Sequence, residues 1–110
     1  MSLLIGIMRR RQLNMERSTI QWQLMLISSA IAQAQHANMD LQSVGTDYES
    51  DTLLAKKIQQ REYKFKLLEE KLKLQKEEYE TRLEEIKQEL QSVNDMINNS
   101  ISELFSYKVA

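Results

Sequence analysis

Residues 52–106 read TLLAKKIQQREYKFKLLEEKLKLQKEEYETRLEEIKQELQSVNDMINNSISELFS. No Pro or Gly interrupts them, and most are straight-chain helix formers. Apolar residues recur at Leu54, Ile58, Phe65, Leu68, Leu72, Tyr79, Leu83, Ile86, Leu90, Val93, Ile97, Ile101 and Leu104. With polar steps near Arg61 and Gln75, the repeat is about 3.6 residues, which predicts one long helix with a nearly straight apolar stripe. Strict heptads would give 3.5. The pairs Glu62/Lys66, Glu69/Lys73 and Glu78/Arg82 stand at i, i+4 outside the stripe.

Residues 3–43 form a second, mostly apolar and amide-rich helix, and 44–51 form the one turn. Gly45 suits the left-handed position that ends a helix, and Ser50 or Asp51 can cap the next one. The fold class is therefore all-α, a long antiparallel helical hairpin of coiled-coil type in a single domain, 1–110. The rest of the composition agrees. The chain holds two Gly and no Pro in 110 residues, too few breakers for a sheet or a loop-rich fold.

The first helix is apolar on two sides. One stripe reads Leu13, Ile20, Leu24, Ile27, Ile31, Ala34 and Leu41, and the other Met8, Met15, Trp22, Met25, Ala32 and Met39 with Leu4 before them. A two-helix hairpin buries one face of each helix, so the second stripe is left for a neighbour. Trp at its centre suits an interface anchor, and Met adapts to irregular surfaces.

Charge reverses along the second helix: eight basic and three acidic residues in 56–76, then two basic and eight acidic in 77–103. A reversal near residue 48 sets residue i opposite about 96 − i. That brings Arg9, Arg10 and Arg11 beside Glu84, Glu85 and Glu89, while the basic half finds no partner in the first helix. The same register leaves Ile97, Ile101, Leu104 and Phe105 uncovered, as a docking element for another subunit.

Catalytic, cofactor and metal sites are not expected. Cys is absent, and the one His, His36, has Asp40 at i+4 but no further His or Cys to complete a metal site. The Glu runs alternate with Lys as solvated helix faces do, and no Gly-rich phosphate loop is present. A net charge of −1 with interleaved acids disfavours nucleic acid. The apolar run from Leu24 to Ala32 is far short of a transmembrane span, and although a basic stretch precedes it and Ala32-Gln33-Ala34 follows, it reads as helix core. A Cys-free chain tolerates oxidising and reducing surroundings alike, so cytoplasmic and exported locations stand equal.

The stretch Leu83–Tyr107, with Gln88-Glu89-Leu90-Gln91-Ser92-Val93-Asn94 leading to Ile101 and Phe105, resembles an uncharacterised group of short bacterial helical proteins. In architecture the chain is also similar to the needle subunits of type III secretion systems, on its turn Gly45–Asp51 and its terminal helix Ile97–Phe105. That resemblance implies a small helical hairpin packed into a filament wall, though the chain lacks the proline-containing turn usual there and carries more charge. The expected function is that of a non-enzymatic structural subunit of a homo-oligomer, with a helical filament or tube as one form. The alternative is a coiled-coil adaptor or secretion chaperone that binds a different protein. A nucleic-acid accessory role ranks third.

Overall fold

The computed structural model describes residues 2–45 and 52–109. They form two helices, α1 (Ser2–Gly45) and α2 (Leu53–Val109), with no strand among the described residues. The fold is an all-α helical hairpin. Contacts divide it into two compact units: Met1–Trp22 with Tyr79–Ala110 (unit 1), and Gln23–Glu78 (unit 2).

The helix ends differ from expectation. The Thr52 hydroxyl accepts the Ala55 N–H at 3.1 Å, and the Thr52 carbonyl accepts the Lys56 N–H at 3.1 Å. Thr52 therefore caps α2, whereas Ser50 and Asp51 lie outside the described residues. So does the expected turn, apart from Val44 and Gly45, which are helical. Gly45 takes no positive φ. A Cβ there would stand 3.3 Å from Ile58 Cγ2, and one on Gly6 would stand 2.9 Å from Ile97 Cγ1 and from Met96 Cε. Each glycine thus lets α1 approach α2 closely, one in each unit.

Burial on α2 follows strict alternation of three and four residues. In unit 2 the inward positions are Ala55, Ile58, Glu62, Phe65, Glu69, Leu72 and Lys76. In unit 1 they are Tyr79, Leu83, Ile86, Leu90, Val93, Ile97 and Ser100. That is the heptad period, about 3.5 residues, which belongs to left-handed supercoils. It replaces the expected straight stripe. The count by apolarity took in Leu54, Leu68, Ile101 and Leu104, which are exposed. It missed small Ala55 and stepped over Glu62 and Glu69, whose stems lie against the seam.

On α1 the inward positions Gly6, Leu13 and Ile20 in unit 1, and Ile27, Ala34 and Leu41 in unit 2, stand seven residues apart. Leu13 and Ile86 are completely buried. In unit 2 the seam also holds Asn38, 9% exposed, whose side-chain oxygen has no hydrogen-bond partner among the described residues. An unsatisfied buried amide costs about 1–3 kcal/mol.

The register also shifts. Arg9 meets Glu89, Glu16 meets Arg82, Gln35 meets Glu69 and Ser2 meets Ser100. Their numbers add to between 98 and 104 rather than 96, in keeping with an α1 that stays helical through Gly45.

Ile86→Ala should lower unfolding free energy by about 2–5 kcal/mol through a cavity at a fully buried site. Leu68→Ala, placed on the same stripe by a 3.6-residue count, should cost about 0.5 kcal/mol or less. Urea unfolding of both variants distinguishes the two periods: equal losses would refute the heptad seam.

Candidate assembly surface

The outer side of α1 is as apolar in space as in sequence. Met8, Met15 and Trp22 in unit 1, and Met25 and Met39 in unit 2, each keep 58–64% of their surface exposed, and Ala32 is exposed with them. The opposing stripe supplies the seam, with Leu13, Ile20, Ile31 and Ala34 buried and Leu24, Ile27 and Leu41 half-buried. The two stripes thus lie on opposite faces of one helix. Leu4, Ile5, Ile7 and Leu26 add further exposed apolar surface to α1.

The expected C-terminal docking element divides. Ile97 is 3% exposed, against Gly6, and belongs to the seam. The sequence count left it uncovered because it set the register too early and overlooked that Gly6 makes room for it. Ile101, Leu104 and Phe105 are 51–69% exposed, and Tyr107 joins them.

The six charged residues expected to pair are only partly brought together. Arg9 Nη2 donates to Glu89 Oε2 at 2.6 Å. Arg10 reaches Asn94 Oδ1 at 3.4 Å instead of an acid. Glu85 binds Arg82 on its own helix, while Arg11 and Glu84 are exposed.

The centre of the arrangement is Arg82. Its Nε and Nη2 donate to both oxygens of Glu16 at 2.7 and 2.9 Å, and its Nη1 lies 3.2 Å from Glu85 and 3.3 Å from Glu89. Two-pronged guanidinium–carboxylate pairing of this kind is directional as well as attractive. Arg9, Glu89, Arg82, Glu16 and Glu85 therefore form one network across unit 1. The i, i+4 spacing pairs Arg82 with Glu78; the signal for the network is that Glu16 and Glu89 flank the seam positions Leu13, Ile20 and Leu90.

In unit 2, Glu69 accepts from Gln35 at 3.0 Å and pairs with Lys73 at 2.8 Å. Charge is balanced within each unit. Unit 1 holds seven basic and seven acidic residues, and unit 2 eight and nine.

These contacts favour the ionised carboxylates. Glu16 is held below the ordinary Glu value by its hydrogen bond to Arg82, against an opposing desolvation. Glu89 is lowered first by Arg9, with Arg82 adding to it, and Glu69 by Lys73 and then Gln35. Arg82 is raised, chiefly by Glu16.

His36 is exposed on α1. Among the described residues, no three His, Cys, Asp or Glu side chains are grouped so as to hold a metal ion. Nor is any described helix long and apolar enough to cross a membrane. An open depression on α1, lined in part by Ile7, Arg11, Met15 and Ser18, adjoins the apolar outer face. No family model matches this chain, and neither does any curated protein or solved structure.

Because the folded pKa values of Glu16 and Glu89 lie below their unfolded values, the stabilisation is complete above the ordinary Glu range. It is lost as pH falls through the lowered folded values. Arg82→Gln should therefore flatten the acid limb of a Tm-against-pH curve below about pH 4.5, and added salt should shrink the difference. Parallel acid limbs for the two proteins would show that the network contributes nothing.

Proposed function

We propose that this chain is a non-enzymatic structural subunit that assembles with copies of itself by helix packing, using the outer face of α1. The observation that carries the reading is the exposure of Met8, Met15, Trp22, Met25 and Met39 on the side of α1 opposite the seam. Full burial of a large apolar side chain contributes about 1.5–3 kcal/mol, and covering this face with a neighbour works against the roughly 4–15 kcal/mol that association costs. Exposed Ile101, Leu104 and Phe105 supply a second contact of the same kind. Two contact surfaces on one subunit are what a helical filament or tube requires. No catalytic group and no cofactor enter this function.

One observation favours an adaptor or secretion chaperone as the second reading. Four of the six side chains on the outer face are Met, and Met-rich surfaces repack readily on unlike partners.

Met25→Glu should yield smaller species in sedimentation while circular dichroism stays strongly helical, since an unpaired charge in an interface is costly. Trp22→Ala should act in the same direction more weakly. Removal of residues 101–110, which spares Ile97, should shorten or abolish polymers seen by negative-stain microscopy. Unchanged sedimentation of all three variants would defeat the reading. Wild-type particles that are small and discrete, and that stay monomeric at high concentration, would favour the adaptor.

A further inference from the structure

The exposed side of α2 differs between the two units. From Tyr79 to Asp95, in unit 1, every exposed residue is polar or charged. That is how a solvated helix face is built. From Leu53 to Leu74, in unit 2, Leu53, Leu54, Tyr63, Leu67, Leu68 and Leu74 keep 44–70% of their surface exposed. Lys56, Lys57, Arg61, Lys64 and Lys71 are exposed between them, and none of these five forms an ion pair among the described residues. Between residues 53 and 95, exposed leucines thus occur only where the helix is basic. We propose that this face of unit 2 binds an anionic lipid surface, with α2 lying along it from Leu53 to Leu74. The inference uses none of the self-assembly face of α1 and stands apart from that reading.

The placement follows from the heptad seam. The inward positions Ala55, Ile58, Glu62, Phe65, Glu69 and Leu72 fix the opposite line as Leu53, Gln60, Leu67 and Leu74, one heptad apart. Lys57, Lys64 and Lys71 run beside that line on one flank, about 10 Å apart. Lys56 and Tyr63 stand on the other flank, and Leu54, Arg61 and Leu68 lie beyond the three lysines. Of the acids in this stretch, Glu62 and Glu69 are inward, and Glu69 is engaged by Lys73 and Gln35. Glu70 alone is on the exposed side.

Apolar and basic bands therefore run side by side across the outer half of the helix. A partner helix or groove reads one narrow apolar stripe at i, i+3, i+4 and i+7, which lysines split here. A lipid surface suits the banding. Leucines enter the boundary between headgroups and acyl chains, while lysine stems lie along them and raise their ammonium groups to the phosphates. Tyr63 has the polar-tipped ring favoured at that depth. Clusters of roughly four to eight cations on an amphipathic helix attract anionic lipids, and each cation near the surface strengthens binding about fivefold. Screening confines the attraction to about 8 Å at physiological salt. The basic face therefore acts locally, and the net charge of −1 for the whole chain does not cancel it.

Flotation on a density gradient reads this binding separately from self-assembly, because vesicles rise and protein polymers do not. Full-length protein should float with phosphatidylcholine vesicles that contain about 30% phosphatidylserine, and stay down with phosphatidylcholine alone. Raising salt from about 50 to about 300 mM should weaken binding severalfold. Lys57→Gln, Lys64→Gln and Lys71→Gln combined should weaken it at least ~20-fold, with circular dichroism unchanged because all three side chains are exposed. Leu67→Ser with Leu74→Ser should also weaken it, since the leucines enter the surface. Protein that stays at the bottom of the gradient with the anionic vesicles would overturn the proposal, and so would equal flotation of the lysine variant. Full flotation of the leucine variant would overturn the docked face. Binding of poly-L-glutamate without flotation would replace the lipid surface with an acidic protein partner.

Discussion

Two helices in a hairpin can cover only one face of each other, and α1 has two apolar faces. The rest of the structure depends on that mismatch. One face, through Leu13, Ile20, Ile31 and Ala34, forms the seam with Ile58, Ile86, Leu90 and Ile97 in their respective units. The other, through Met8, Met15, Trp22, Met25 and Met39, stays in water. Helix propensity sustains both helices without choosing between the faces. The faces differ in shape: the seam side of α1 carries Leu, Ile and Ala, with Gly6 and Gly45 close against α2, whereas the outer stripe is mostly Met with Trp22.

The seam is narrow and mixed in polarity. Fully buried Leu13 and Ile86 sit within the same unit as the charges of Arg9, Glu16, Arg82 and Glu89. Exposed ion pairs contribute little to stability, but the two-pronged Arg82–Glu16 pair fixes distances along both helices and so helps to set the register. Asn38 acts in the other unit in a comparable way. A buried polar residue in an apolar seam costs stability, and such residues are used to specify register in coiled coils. Tight apolar packing is therefore confined to a few residues, with polar positions between them restricting how the helices can slide.

Most of the fold was legible in the sequence because it follows from local preferences. The lack of Pro, the scarcity of Gly and the run of straight-chain residues required helices. The two stripes of α1 were legible too, since Met and Trp repeat on one side and Leu, Ile and Ala on the other. The heptad seam of α2 was harder to read. Its inward positions include Glu62, Glu69 and Lys76, whose charge hides their placement, and Ala55, whose size does. Leu54 and Leu68 are apolar yet exposed. An apolarity count cannot separate such residues without a partner helix in view. Gly45 misled for a related reason: a glycine near a reversal looks like a helix stop, and only the distance to Ile58 shows that it serves close packing. The Arg82 network depended on the register, which in turn depended on where α1 ended.

The two units differ in how the chain reaches them, and this sets an order of folding. Unit 2 is one continuous stretch, Gln23–Glu78, whereas unit 1 joins the two ends of the chain, with partners as distant in sequence as Ser2 and Ser100. Closing so long a loop in one step carries a large entropy cost, which grows with the logarithm of loop length. Unit 2, whose partners are nearer in sequence, closes at less cost, which favours its pairing first. During synthesis α1 leaves the ribosome before any of its α2 partners exist. Its two apolar faces are then equally bare, and a nascent neighbour presents the same surface at the same moment.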